Sequence, residues 1–395
     1  MDRVTSRQID FSNTEIAFSS KTDKALKKSR WLFRMMNNKF LVGAGSLFTP
    51  LALKLNLPFV KSALKATIFE QFVGGENLLD TQKVLDHLYS YNTLTVLDYG
   101  AEAKTSQEEL DEVMVELIRV IEFAASNSSV PVISVKVTGL SNNDLLIKMQ
   151  SNESLSEAEV IQRQQLLDRM DTICKRAHDL KVGVMIDAEE SWMQDSIDAI
   201  VDDMMANYNK TEVIVYNTYQ LYRKDKLDYL KASYDKAIAN GYMLGAKLVR
   251  GAYMDKERNY SEENNLPNII NDTIEDTHRM YDSALEFCVD NYKNISSVCA
   301  THNAVSNLLQ AKLIEERGID KSHPHLNFCQ LYGMSDNITF NIAQAGYNVA
   351  KYVPYGPIKE VIPYLIRRAK ENTAVTGDMS RELKFISAEM RRRGL

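Results

Sequence analysis

The sequence predicts a (β/α)8 barrel of the TIM type preceded by an N-terminal helical arm. From about residue 94 onward, short β-branched runs alternate with segments of helical period. There are eight such runs, several almost continuously apolar, as befits strands covered on both faces of a parallel sheet. The length they occupy suits the ~250 residues typical of this architecture. The alternative is an open doubly wound sheet, but no GxGxxG follows any of the runs.

Residues 1–92 read as helical. Leu26, Phe33, Met36 and Phe40 suggest one amphipathic stretch, and Val84, Leu88 and Tyr91 another. The strand-like runs are 94–98 (LTVLD), 132–137 (VISVKV), 182–187 (VGVMID), 213–217 (VIVYN), 246–250 (AKLVR), 297–301 (SVCAT), 326–330 (LNFCQ) and 348–353 (NVAKYV). Between them, Leu110, Val113, Met114, Leu117, Ile118 and Ile121 recur at helical spacing. Ile197, Ile200, Val201, Met204 and Met205 do the same, and Leu308, Leu309, Lys312 and Leu313 more weakly. Val361, Ile362, Leu365, Ile366 and Ala369 form the last stripe. The expected organisation is an arm over 1–92, a barrel over 93–375 and a basic helix or tail over 376–395.

Hydrophobic residues make up 45% and charged residues 25%, which excludes disordered, collagen-like and coiled-coil chains. A net charge of −6 argues against a general nucleic-acid binder. Charge is uneven: residues 1–40 carry +5 and residues 366–395 carry +4, leaving the middle at −15. Basic ends are solvated tails or contacts for an anionic membrane. Cys174, Cys288, Cys299 and Cys329 sit in apolar stretches without metal spacing and read as buried, reduced thiols. The N-terminus lacks an apolar signal core, and Asp2, Asp10 and Glu15 are unlike a mitochondrial presequence. The most apolar 20-mer, 41–60, is interrupted by Pro50, Lys54 and Pro58 and reads as no transmembrane span.

In this architecture chemistry sits where strands end. The ends deliver Lys136, Asp187-Ala188-Glu189-Glu190, Asn217-Thr218-Tyr219-Gln220, Lys247 to Tyr253, Thr301-His302-Asn303, Gln330-Leu331-Tyr332 and Tyr352 to Pro357. One polar strand end is usually a turn or cap; seven in register point to an active site. In the last helix Arg367 and Arg368 offer a guanidinium fork for a carboxylate or phosphate. Tyr352, Tyr355 and Tyr364 would supply walls. This combination suits a small amino-acid-like ligand. Lys136, Lys247 and Lys351 keep a Schiff-base aldolase open, and a non-catalytic barrel binding a small acid is a further alternative. No metal is expected, because the His323–His325 pair precedes its strand and so lies at the other face.

Several segments resemble the motifs of proline dehydrogenase: FEQFVGGEN (69–77), VKVTGL (135–140), IDAEE (186–190), KLVRGAY (247–253), THN (301–303), YVPYGP (352–357) and YLIRRAKEN (364–372). They occur in family order over roughly residues 65–375. The resemblance implies FAD, bound non-covalently on a distorted barrel, and oxidation of L-proline to Δ1-pyrroline-5-carboxylate by hydride transfer from C5 to flavin N5. It implies that Arg367 and Arg368 hold the substrate carboxylate with Lys136 as third cation. Leu248, Tyr253, Tyr352 and Tyr364 would surround the ring, and Asp187 would lie nearby. Lys247 would face flavin N5, a position often occupied by Arg. Ala188, Asn217, Val249, Gly251, Thr301, His302, Asn303 and Glu371 would contact FAD. Glu76 matches a carboxylate that pairs with the mobile arginine when the site is empty. Met254 stands where many members carry Trp, and the loop 255–269 matches poorly. Tyr352 favours proline over hydroxyproline, whose dehydrogenase is the alternative within the family. The resemblance also implies a membrane quinone as acceptor. The expected location is cytoplasmic, peripheral on the cytoplasmic face of the inner membrane, with Arg391-Arg392-Arg393 and the basic N-terminal helix against anionic lipid.

Overall fold

The computed structural model describes residues 9–55, 59–100, 104, 106–374 and 378–395. Eight parallel strands follow one another in a closed barrel. They are β1 (Leu94–Tyr99), β2 (Val132–Val135), β3 (Gly183–Ile186), β4 (Val215–Gln220), β5 (Leu244–Val249), β6 (Ile295–Ala300), β7 (Leu326–Leu331) and β8 (Val349–Tyr355). Every run expected from the sequence is one of them, with no end shifted by more than three residues. The strands are buried almost throughout, which explains their continuous apolar pattern.

The chain divides into two compact units, one of residues 1–101 with 330–395 and the other of residues 102–329. In the first, β1 pairs with β8 from Leu94↔Ala350 to Tyr99↔Tyr355. Its apolar cluster includes Leu26, Phe33, Phe72, Val361, Leu365 and Ile386. The helix Asp23–Met36 starts where the Thr22 hydroxyl accepts from Ala25 N, and it buries Leu26, Phe33 and Met36 as its spacing predicts. Phe40 departs from that expectation. Asn38 caps a new helix, Lys39–Lys54, by accepting from the N–H groups of Phe40 and Leu41. The break rotates Phe40 into solvent, 81% exposed. The C-terminal helix Asp378–Arg392 is anchored by Ile386 and Met390.

The second unit holds β2 to β6, paired in sequence, with β6 on β7 from Ser297↔Leu326. Its helices Gln107–Ala125 and Glu157–Leu180 begin at capping boxes of Ser106 with Glu109 and Ser156 with Glu159. The stripes of Gln107–Ala125 and Ser191–Tyr208 face inward largely as predicted, with Met114 and Ile118 only half-buried. Helix Ala304–Glu316 does not follow its predicted stripe. Leu308 is exposed, and the buried face instead carries Asn307 and Gln310. Asn307 donates to the carbonyls of Thr301 and Asn303, and Gln310 to that of Asn327, so hydrogen bonding to strand ends decides the face. All four cysteines are buried free thiols, and burial pushes Cys299 up to about 12. Among the described residues no helix is long and apolar enough to cross a membrane.

Candidate active site

The second unit gathers its charged residues where β2, β3 and β5 end. Lys136 continues β2 in extended conformation before the 3-10 turn Val137–Gly139. Asp187 directly follows β3, its N–H donating to the Val135 carbonyl (2.8 Å). Lys247 lies on β5. These three side chains meet: Lys136 Nζ is 2.9 Å from Asp187 Oδ2, while Asp187 Oδ1 accepts from Lys247 and from the Ser134 hydroxyl (2.8 Å). Burial would push Asp187 up, but the attraction of Lys136 and Lys247 and their hydrogen bonds outweigh it. The carboxyl is held far below the usual carboxylate range. Two ammonium groups on one carboxylate leave a net positive charge, which suits an anionic ligand.

Glu189, which the sequence reading placed at a strand end without a role, lies beside this group. It accepts from the Thr138 hydroxyl (2.7 Å) and from Tyr253 OH (3.3 Å). Its backbone N–H donates to Gln194, and its carbonyl accepts from Gln220. Burial pushes Glu189 up to about 7, with the Thr138 bond and Lys136 opposing. Tyr253 is thus oriented by Glu189 while standing at the start of helix Met254–Glu263.

Arg250 was also missed, although it belongs to the KLVRGAY segment. Its guanidinium donates to His278 Nδ1 (3.0 Å), Thr301 Oγ1 (2.7 Å) and Ser306 Oγ (3.0 Å) and lies over the Tyr281 ring. Among the described residues it has no carboxylate within ion-pair distance. Thr301 also accepts from Asn303 N, and Asn303 caps helix Ala304–Glu316. A cation satisfied only by neutral groups, beside a helix N-terminus and next to His302, is a donor set that suits the phosphates of FAD.

The remaining residues expected to touch cofactor or ring differ in exposure. Asn217 is completely buried; its amide donates to Asp198 and accepts from Thr218 N–H, so it ties β4 to helix Ser191–Tyr208. Leu248 also has no exposed surface. Ala188 and Val249 are half-buried, and Gly251 is exposed. The glycine at 251 has a reason nearer than a cofactor. Its φ is +132°, and a Cβ there would stand 2.4 Å from the Tyr222 ring.

In the first unit, β8 carries Tyr352, only 8% exposed. Helix Ile358–Ala374 carries Tyr364, Arg367 and Arg368, all half-buried. The i,i+4 spacing brings the Arg368 guanidinium 5.5 Å from the Tyr364 ring centroid. The side chain of Glu371 lies outside the described residues. Glu76 accepts from Lys65 (2.5 Å) and pairs with Lys61 (3.4 Å), contacts that hold it below its ordinary value. Lys351 alternates with Tyr352 on β8 and is buried, paired with Asp336 (2.9 Å) and donating to the Met334 carbonyl.

Comparison with known proteins shows what the chain is similar to. The family model described as proline dehydrogenase matches residues 81–381. The chain is similar to proline dehydrogenase 1, mitochondrial, of Dictyostelium discoideum, with 33% identity over 401 residues, covering 90% of this chain and 69% of that protein. It is 31% identical to hydroxyproline dehydrogenase of Xenopus laevis, covering 84% and 78% respectively. Among solved structures it resembles proline utilization A from Bdellovibrio bacteriovorus inactivated by N-propargylglycine. The TM-score there is 0.75 at 19% identity, over 93% of this chain but only 42% of the longer one. That likeness supports the fold.

Proposed function

Since the chain belongs to the proline dehydrogenase family, we propose that it oxidises L-proline to Δ1-pyrroline-5-carboxylate and passes the electrons to a membrane quinone. FAD, held non-covalently, would supply the hydride acceptor. The protein's part is orientation and electrostatics. Arg367 and Arg368 hold the substrate carboxylate, with Lys136 as a further cation, and this fixes which ring carbon is presented. Tyr352, Tyr364, Tyr253 and Leu248 shape the apolar surroundings. Asp187 holds Lys136 and Lys247 in place, so that Lys247 would present its ammonium group to the cofactor. Arg250, Thr301, His302 and Asn303 serve the phosphate end of FAD; Ala188, Asn217, Val249, Gly251 and Glu371 complete the proposed contacts. Glu76 would exchange its lysines for an arginine when substrate leaves.

The Lys136–Asp187–Lys247 cluster carries this reading. It supplies fixed positive charge at strand ends, and it speaks against the aldolase alternative. A Schiff-base lysine must become neutral, whereas these two lysines and Lys351 are each paired with a carboxylate.

The test is direct. Purified protein should be yellow and should bleach anaerobically on adding L-proline. Bleaching by hydroxyproline alone would select the sister activity that the Xenopus laevis relative bears in its name. Colourless protein after flavin supplementation would refute the assignment.

A further inference from the structure

Between Lys24 and Phe69 the sequence carries nine Lys and Arg and no Asp or Glu, in a chain of net charge −6. The segment builds two consecutive helices, Asp23–Met36 and Lys39–Lys54. The first buries Leu26, Phe33 and Met36 and leaves Lys24, Lys27, Trp31 and Arg34 exposed. The second buries Val42, yet its other side is apolar as well. Phe40 (81% exposed), Leu41, Leu47 (70%), Phe48 (61%) and, just past its end, Leu55 (62%) face solvent. Positions 40, 41, 47, 48 and 55 recur at helical period, so they form one stripe rather than scattered surface residues. A helix facing water would be polar there.

We propose that helix Lys39–Lys54 is a membrane-docking element that lies in the plane of an anionic bilayer. At 16 residues it reaches about 24 Å, too short to span a hydrocarbon core of about 30 Å. An in-plane position seats the stripe at the acyl boundary. Trp31 suits the headgroup layer, and Lys24, Lys27, Arg34 and Lys54 meet the lipid phosphates and carboxylates. Lys28, Lys61 and Lys65 are already paired with Glu70 and Glu76 and are not counted. Charge selects lipid over a second copy of the chain, because two such segments face to face would oppose like charges. The expected basic C-terminus is a poorer anchor. Arg392 pairs with Glu389 and Glu15, and Arg393 with Glu389 and Asp23, while donating to the Phe18 and Lys21 carbonyls. The inference deepens the proposed electron transfer to a membrane quinone and rests on that reading for its purpose only.

The experiment is flotation of the full-length holoprotein with phosphatidylcholine vesicles, with and without phosphatidylserine. Wild type should float with the anionic vesicles and be released by salt. Leu47→Glu with Phe48→Glu should reduce binding by roughly 100-fold or more. Lys24→Glu with Lys27→Glu should remove the preference for anionic lipid, at roughly fivefold per lost charge. Bleaching by proline in detergent-free solution should persist in all variants, so a failed membrane inference is distinguished from a failed catalytic one. No binding by wild type, equal binding to both vesicles, or binding unchanged in Leu47→Glu with Phe48→Glu overturns the proposal. So does a wild-type dimer that this pair converts to monomer without loss at vesicles.

Discussion

Removing the lysines around Asp187 one at a time and then together should reveal strong coupling. At 2.9 Å from Oδ2, Lys136 exerts a gross attraction of about 6 kcal/mol at an effective dielectric constant of about 20. Desolvation cancels most of it. In Lys136→Met the carboxylate keeps Lys247 and the Ser134 hydroxyl, so the loss should be about 1–2 kcal/mol. Lys247→Met should behave alike. In the double variant Asp187 keeps only Ser134 among these partners, and the second substitution should cost about 3–5 kcal/mol, as for a buried charge without a counter-ion. The double should therefore exceed the sum of the singles by about 2 kcal/mol. Urea unfolding followed by circular dichroism measures all four proteins. The pH dependence supplies a second readout. The folded carboxyl is held below its unfolded value, so its stabilisation is present above about pH 4 and lost on acidification. The double variant should lack that acid-side loss. Additive effects, or a double variant with the wild-type acid limb, would refute the reasoning.

Other expectations concern single residues. Arg368→Met should raise KM for proline about 30-fold or more, since losing one partner of a held carboxylate costs about 2–5 kcal/mol; steady-state kinetics with unchanged KM would sink the assignment. Glu189 binds its proton more tightly when folded, at about 7 against 4.5, so wild type should lose stability as pH rises between those values. Glu189→Gln removes that loss, and its stability relative to wild type should grow with pH by up to about 3 kcal/mol; parallel profiles would exclude it. Gly251→Ala places a Cβ 2.4 Å from Tyr222 at φ +132° and should cost about 1–3 kcal/mol in a thermal melt; an unshifted midpoint would show that the loop yields.

The barrel was legible because its strands have one environment on both faces, so apolar runs such as 182–187 mark them without ambiguity. Helix faces were legible where packing decides, as in Gln107–Ala125, whose buried face is wholly apolar. They were not where hydrogen bonding decides, as with Asn307 and Gln310 in Ala304–Glu316. Motif order pointed to Lys136, Asp187 and Lys247, but not to their shared hydrogen bonds. It passed over Arg250 and Glu189, whose partners Thr301, Ser306 and Tyr253 stand 51 to 64 residues away in sequence.

By itself the sequence determined the strand-and-helix order, the polar residues that reach the strand ends and the uneven charge, because each is a local property of composition and period. Only the tertiary structure decided which lysines share Asp187, why Gly251 must lack a side chain, and that an apolar stripe from Phe40 to Leu55 stays exposed. Those depend on distances between segments far apart in the chain and on what each side chain finds when it arrives, and neither is encoded in local period.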